Sequence, residues 1–340
     1  MFKKYKAKDG SNEAFVKMKN YMPMNPVLKS IRPVIEKSKF VRINKGNLLK
    51  FCSDFELKEV PFWLDCAPFP LQRLSDKEWL NFIFVSSSLD FCFWGEPKWK
   101  IEYKGNFYDG AWGLLAALNK AIEKGFPILN FKYLAKIPEN DLKEIFKGNV
   151  EIPLFKERLN ILRENGKILV EKFGGDFENV IRKSKMDALK LLKIIVENFP
   201  SFNDFAIYKG KKVFFHKRAQ LLIGDIYRKF KEKFQNLKNI DKLTALADYK
   251  IPQILRKLGI LEYSEELTEK IDNKILIPAG SEEEIEIRAN TIWAIELMKG
   301  EIKKKIPKIM AIDIDSHLWL LGQKKSPEDK PYHLTRTIFY

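Results

Sequence analysis

Helical periodicity, repeatedly opened by a cap and closed by glycine or proline, runs through most of the 340 residues and most constrains the fold. Ser75 and Glu78 make a capping box. Trp79, Phe82, Ile83 and Ser86 then recur on one face, which predicts a helix over 76–89. Further helices are expected over 111–124, closed by Gly125 and Pro127, and from Pro138 to before Gly148. Another runs from Pro153 to about 172, where Gly174 and Gly175 stop it, and a single helix then runs from a cap near Asp176 to Pro200. Ala219, Leu222, Ile223, Ile226 and Phe230 give 216–230 helical spacing. Pro252 suits a first helical turn and Gly259 an end, while Ser281 and Glu284 open a long helix through Ile285, Ala289, Ile292 and Ile295. Two β-hairpins interrupt the series, over 99–108 with a turn at Lys104-Gly105-Asn106 and over 205–215 with a turn at Lys209-Gly210-Lys211. No repeat and no Gly/Ser-rich linker divides the chain. The expectation is a single mainly helical domain over 1–340 with two small hairpins, 1–75 being the part least defined.

Composition narrows the chemistry. A 45% apolar and 13% aromatic content supports a packed core and argues against disorder. The charge of +16 suits an anionic partner, but Lys-rich surfaces of this kind also arise from solvation alone, and the basic runs are short. Three dispersed cysteines imply neither a disulfide framework nor a zinc site, and His216, His317 and His333 form no ligand pair, so no metal and no cofactor is expected. The polar Met1 to Glu13 stretch lacks the apolar region of a secretory leader, and no apolar run approaches the ~20 residues of a membrane span. A soluble cytoplasmic protein, with no membrane partner, is expected.

Three segments carry possible chemistry. Asp90-Phe91-Cys92-Phe93-Trp94 follows a helix end and could stack on a planar base, although aromatics equally fill cores. Asp248 precedes the Pro252 helix, where a helix-end dipole favours a carboxylate. A fixed carboxylate there could serve an oxocarbenium-like transition state, or it could simply cap the turn. Lys217 sits at the start of an amphipathic helix, an unfavourable place for a cation, so counter-charge is expected nearby: Asp248, a substrate phosphate or water.

Taken together, these segments resemble the queuosine salvage protein family. The matching stretches are 89–94, 215–220 (Phe215-His216-Lys217-Arg218-Ala219-Gln220), 247–255 with 259–263, 279–289, and the tail 333–340. They follow the family order from about residue 80 onward. The resemblance implies a helical fold similar to helix-hairpin-helix DNA glycosylases. It also implies metal-independent hydrolysis of queuosine 5′-phosphate, a small-molecule substrate, to queuine and ribose 5-phosphate. It carries catalytic roles to Lys217 and Asp248. Phe91, Phe93, Trp94, Asp90 and Tyr249 are the expected substrate-binding residues. Asp90 departs from the asparagine usual in the family, which puts the base contacts in question. A monomer without stable nucleic-acid binding is expected. A base-excision glycosylase acting on polynucleotides and a non-catalytic nucleotide- or tRNA-binding module are the competing readings.

Overall fold

In a computed structural model of the protein, residues 25–56, 61–324, 326–327 and 329–340 are described. The stretch Met1 to Glu13, on which the leader reading rests, lies outside the described residues. In chain order come α1 (Pro26–Lys37), β1 (Val41–Ile43), α2 (Lys45–Asp54), α3 (Asp76–Leu89), β2 (Lys100–Tyr103), β3 (Asn106–Asp109) and α4 (Gly110–Glu123). Next are α5 (Phe131–Leu134), α6 (Glu139–Ile145), α7 (Phe155–Phe173), α8 (Phe177–Lys183), α9 (Ala188–Asn198), β4 (Phe205–Tyr208) and β5 (Lys211–Phe214). The rest is α10 (Lys217–Lys229), α11 (Lys231–Phe234), α12 (Lys250–Lys257), β6 (Leu261–Tyr263), α13 (Glu265–Asp272), α14 (Glu282–Ile302) and α15 (Ala311–Leu321).

The mainly helical reading and both hairpins hold. Tyr103 pairs with Asn106, and Tyr208 with Lys211, around the two expected turns. Three local expectations are corrected. First, the single helix expected from Asp176 to Pro200 is two, α8 and α9. Lys185 and Met186 take left-handed φ values of 53° and 57°, and Asp187 starts a new helix by accepting from the N–H groups of Leu189 and Lys190. Second, a third two-stranded sheet joins β1 to β6, with Arg42 opposite Glu262. No turn signal announces it, because its strands lie far apart in sequence. Third, α3 is buried all round from Trp79 to Leu89 rather than on one face.

That burial has an architectural reason. α3 is the axis of one hydrophobic core, built mainly from α3–α10 and the β2–β3 hairpin. α14, buried continuously from Glu283 to Glu296, is the axis of a second core with α1, α2, α12, α13 and most of α15. A helix surrounded by others has no solvent face to make polar. α10 packs on α3 in the first core, and the loop from Leu246 to Lys250 leads into α12 in the second.

Three buried arginines hold the segments around these cores. Arg158 of α7 donates to the carbonyls of Leu89 (2.6 Å), Phe91 (2.5 Å), Cys92 (3.1 Å) and Pro153 (2.9 Å). Arg218 donates to the carbonyls of Ser88 and Ser201. Arg288 of α14 grips both oxygens of Asp204, at 3.0 and 2.6 Å, and the carbonyl of Ala247 at 3.1 Å. A planar guanidinium suits this task because its several donors satisfy convergent carbonyls that would otherwise be buried unpaired. The tail closes the seam. The Leu334 carbonyl accepts from Ile277 N–H at 2.8 Å, and the Tyr340 carbonyl accepts from Cys92 N–H at 2.9 Å.

Candidate active site

A pocket opens where the two cores meet. Asp90, Phe91, Phe93, the start of α4 and the inner face of α10 line one side. Leu246 to Lys250, α15, Tyr332 and Tyr340 line the other. The pocket brings together six of the seven expected site residues: Lys217, Asp248, Asp90, Phe91, Phe93 and Tyr249. Trp94 lies apart from them. It does not line the pocket but is buried with Phe91, Cys92 and Ile161, with the Arg336 guanidinium 5.1 Å from its ring centre. The backbone explains this. Cys92 adopts a left-handed φ of 38°, so successive side chains around it do not follow one face.

Asp248 is held by its turn. Its Oδ1 accepts from the N–H groups of Lys250 (2.8 Å) and Ile251 (2.9 Å), which are otherwise unsatisfied at the start of α12. Capping and pocket placement therefore coexist, since one oxygen suffices for the cap. Burial pushes the Asp248 carboxyl above its ordinary range. The nearby Lys217 ammonium and the two backbone donors pull it down, but less strongly.

Lys217 begins α10 directly after His216, which has a left-handed φ of 50°. Its N–H donates to Asp204 Oδ2 at 3.2 Å, which supplies an anion at a helix end unfavourable to a cation. Its ammonium contacts Asp90 rather than Asp248, at 2.5 Å to Oδ2 and 3.2 Å to the carbonyl. Asp90, where the resemblance leads to Asn, thus forms a partly buried ion pair with Lys217 beside Asp248.

The aromatic lining extends beyond Phe91, Phe93 and Tyr249. Phe91 is 1% exposed, with the guanidinium carbons of Arg158 and Arg218 at 4.2 and 4.9 Å from its ring centre. Both guanidinium groups lie within cation–π distance of its ring. Less enclosed aromatic walls come from Tyr249 and Tyr332, whose ring centres are 4.8 Å apart, and from Trp63 and Trp319, 5.7 Å apart.

Sequence reasoning missed Trp63, Asp225, Asp315, Trp319 and Tyr332. A signal existed for one of them. Lys217, Leu221, Gly224, Asp225 and Arg228 follow helical spacing on α10 and all line the pocket, beside the apolar stripe that packs the core. Asp225 accepts from Trp63 Nε1–H at 2.8 Å, and burial pushes its carboxyl up to about 8. Asp315 accepts from Leu246 N–H at 2.7 Å, and burial likewise raises it, reinforced by the charge of Asp248. Among the described residues no group of His, Cys, Asp and Glu is arranged to hold a metal, and no helix is long and apolar enough to cross a membrane.

The fold and the pocket define a class: a mainly helical protein with fixed carboxylates and one buried lysine facing an aromatic-walled cleft. The chain belongs to the queuosine salvage protein family, whose model matches residues 71–340. Among its relatives, a Sphaerobacter thermophilus protein is 42% identical over 92% of this chain and 97% of its own length. A Mus musculus protein is 39% identical over 79% and 84%, and one from Schizosaccharomyces pombe is 32% identical over 88% and 92%. All three are named queuosine 5′-phosphate N-glycosylase/hydrolase.

Proposed function

We propose that this chain hydrolyses the N-glycosidic bond of queuosine 5′-phosphate, releasing queuine and ribose 5-phosphate. The observation that carries this reading is the buried Asp248, fixed by two backbone donors and facing the cleft beside the Lys217–Asp90 pair. Water adds at C1′ of the ribose while the bond to the base breaks, and one proton of that water ends on the base. As the bond breaks, positive charge grows on the ribose. An ionised Asp248 stabilises it at a distance set by the fold, without reorganisation at the moment of reaction. The same carboxylate orients the attacking water.

Queuine is a 7-deazaguanine and lacks the N7 that ordinary purine leaving groups use for protonation. Binding of the rest of the base therefore matters more. Asp90, held through Oδ2 by Lys217, keeps Oδ1 to accept from the N1 and amino edge. Tyr249 and Tyr332 supply stacking surface. Lys98, which also pairs with Asp109, and Lys250, with the first turn of α4, suit the 5′-phosphate. The same reading includes a cytoplasmic monomer with no stable polynucleotide complex, on a scaffold like that of helix-hairpin-helix glycosylases.

The test is incubation of purified protein with queuosine 5′-phosphate and a chelator, followed by chromatography for free queuine. Release by the wild type and loss in Asp248→Asn are expected. A folded protein that releases no queuine overturns the reading. Salt-dependent binding to polynucleotide in its place would favour the base-excision alternative.

A further inference from the structure

Asp225 has no assigned role in that reaction, and its surroundings are unusual. It lies on the pocket side of α10, two turns beyond Lys217, and is 3% exposed. Trp63 Nε1–H occupies its Oδ1, while its Oδ2 is buried with no hydrogen-bond partner among the described residues. Asp315, on α15 across the same pocket, has one oxygen bonded to Leu246 N–H. Neither carboxyl makes an ion pair among the described residues, whereas the lining cations Lys98, Lys217 and Arg228 each face another acid: Asp109, Asp90 and Asp313. Lys250, the remaining lining cation, bonds Gln253, so none of these cations stands within ion-pair distance of Asp225 or Asp315.

A buried acceptor left without a donor costs free energy in the folded protein. Its retention at the wall of a ligand pocket is explained if the ligand brings the donor. A donor that also carries positive charge stabilises the carboxylate that forms when Asp225 gives up its proton, and a neutral donor does so far less.

We infer that Asp225 is a specificity residue that receives a protonated amine carried on the base, so that the pocket selects amine-bearing 7-deazaguanines over neutral ones. This rests on the proposed function, since queuine carries a secondary amine on its substituent. With its carboxyl pushed up to about 8, Asp225 is largely protonated at neutral pH. An ammonium docked against the Asp225 carboxyl from the pocket drives that proton off, so binding and proton release are linked. Trp63 keeps the carboxyl aimed by holding its other oxygen.

The experiment is calorimetric titration of the wild type and Asp225→Asn with two free bases, 7-aminomethyl-7-deazaguanine and 7-cyano-7-deazaguanine. It is run at pH 7 in two buffers of different ionisation enthalpy. The wild type is expected to bind the amine at least about tenfold more tightly than the nitrile and to release about one proton with the amine alone. Asp225→Asn retains an acceptor for Trp63, so folding is expected to survive. It should erase the preference and the proton release while leaving the nitrile's Kd within about twofold. The wild-type proton count needs no variant. Equal weakening of both bases would show Asp225 reading a part they share, such as the guanine-like edge, and would overturn the inference. So would a wild type without preference, or a preference that survives the substitution. Turnover of queuosine 5′-phosphate is read separately. A wild type that releases no queuine sinks the proposed reaction, and the amine seat with it. An active wild type whose preference survives Asp225→Asn sinks only the seat.

Discussion

Replacing Asp248 by asparagine removes one charge and leaves its scaffold in place. The amide oxygen can accept the same two bonds that Lys250 and Ile251 donate at 2.8 and 2.9 Å, so the start of α12 is preserved. Burial already disfavours the charged form of this side chain, so neutralising it removes a desolvation cost. Stability should therefore stay within about 1 kcal/mol of wild type. The chemical step behaves differently. A full charge about 4 Å from the developing ribose cation, at an effective dielectric of ~20, is worth about 4 kcal/mol. At ~1.4 kcal/mol per decade, that is roughly a thousandfold in rate. Single-turnover release of queuine, measured beside a urea melt, separates the two effects. Asp248→Ala serves as the contrast, since it also removes the acceptor at the start of α12 and should cost a further ~0.5–2 kcal/mol of stability. An Asn variant that folds normally and works within tenfold of wild type would refute the electrostatic role given to Asp248.

The Lys217 charge lowers the proton affinity of Asp248, so Lys217→Met should move the acid limb of kcat to higher pH; an unmoved limb would show that the two charges are not coupled. Arg158→Met strands the carbonyls of Leu89, Phe91, Cys92 and Pro153 in the interior. It should cost about 3–5 kcal/mol, read as a lower urea midpoint at constant m. At Gly166 of α7 an added Cβ would stand 2.4 Å from the backbone nitrogen of Ala135. Gly166→Ala should therefore separate α7 from α5 and destabilise by roughly 1–3 kcal/mol despite alanine's better helix propensity, and a raised melting temperature would contradict this close approach.

How much of this was legible in the chain depends on the range of the signal. Capping is local. Ser75 with Glu78, and Ser281 with Glu284, marked the starts of the two central helices, and each bond forms within four residues. The hairpin turns at Gly105 and Gly210, with φ of 78° and 77°, were equally local. The break between α8 and α9 was not. It depends on Lys238, whose N–H bonds the Met186 carbonyl at 2.9 Å from a distant part of the chain. The β1–β6 sheet escaped notice for the same reason.

The site divides along the same line. The sequence by itself determined that Asp248 would stand at the head of a helix and Lys217 at the start of another, because the caps and helical spacing on either side leave few alternatives. It also determined membership in the queuosine salvage protein family. Only the tertiary structure decided that Lys217 pairs with Asp90, that Trp94 turns away while Phe91 packs beside two guanidinium groups, and that Asp225 meets Trp63 with one oxygen left over. Those outcomes join residues far apart along the chain. Which distant groups meet is set by how two cores pack across a seam, and local periodicity carries no record of that packing.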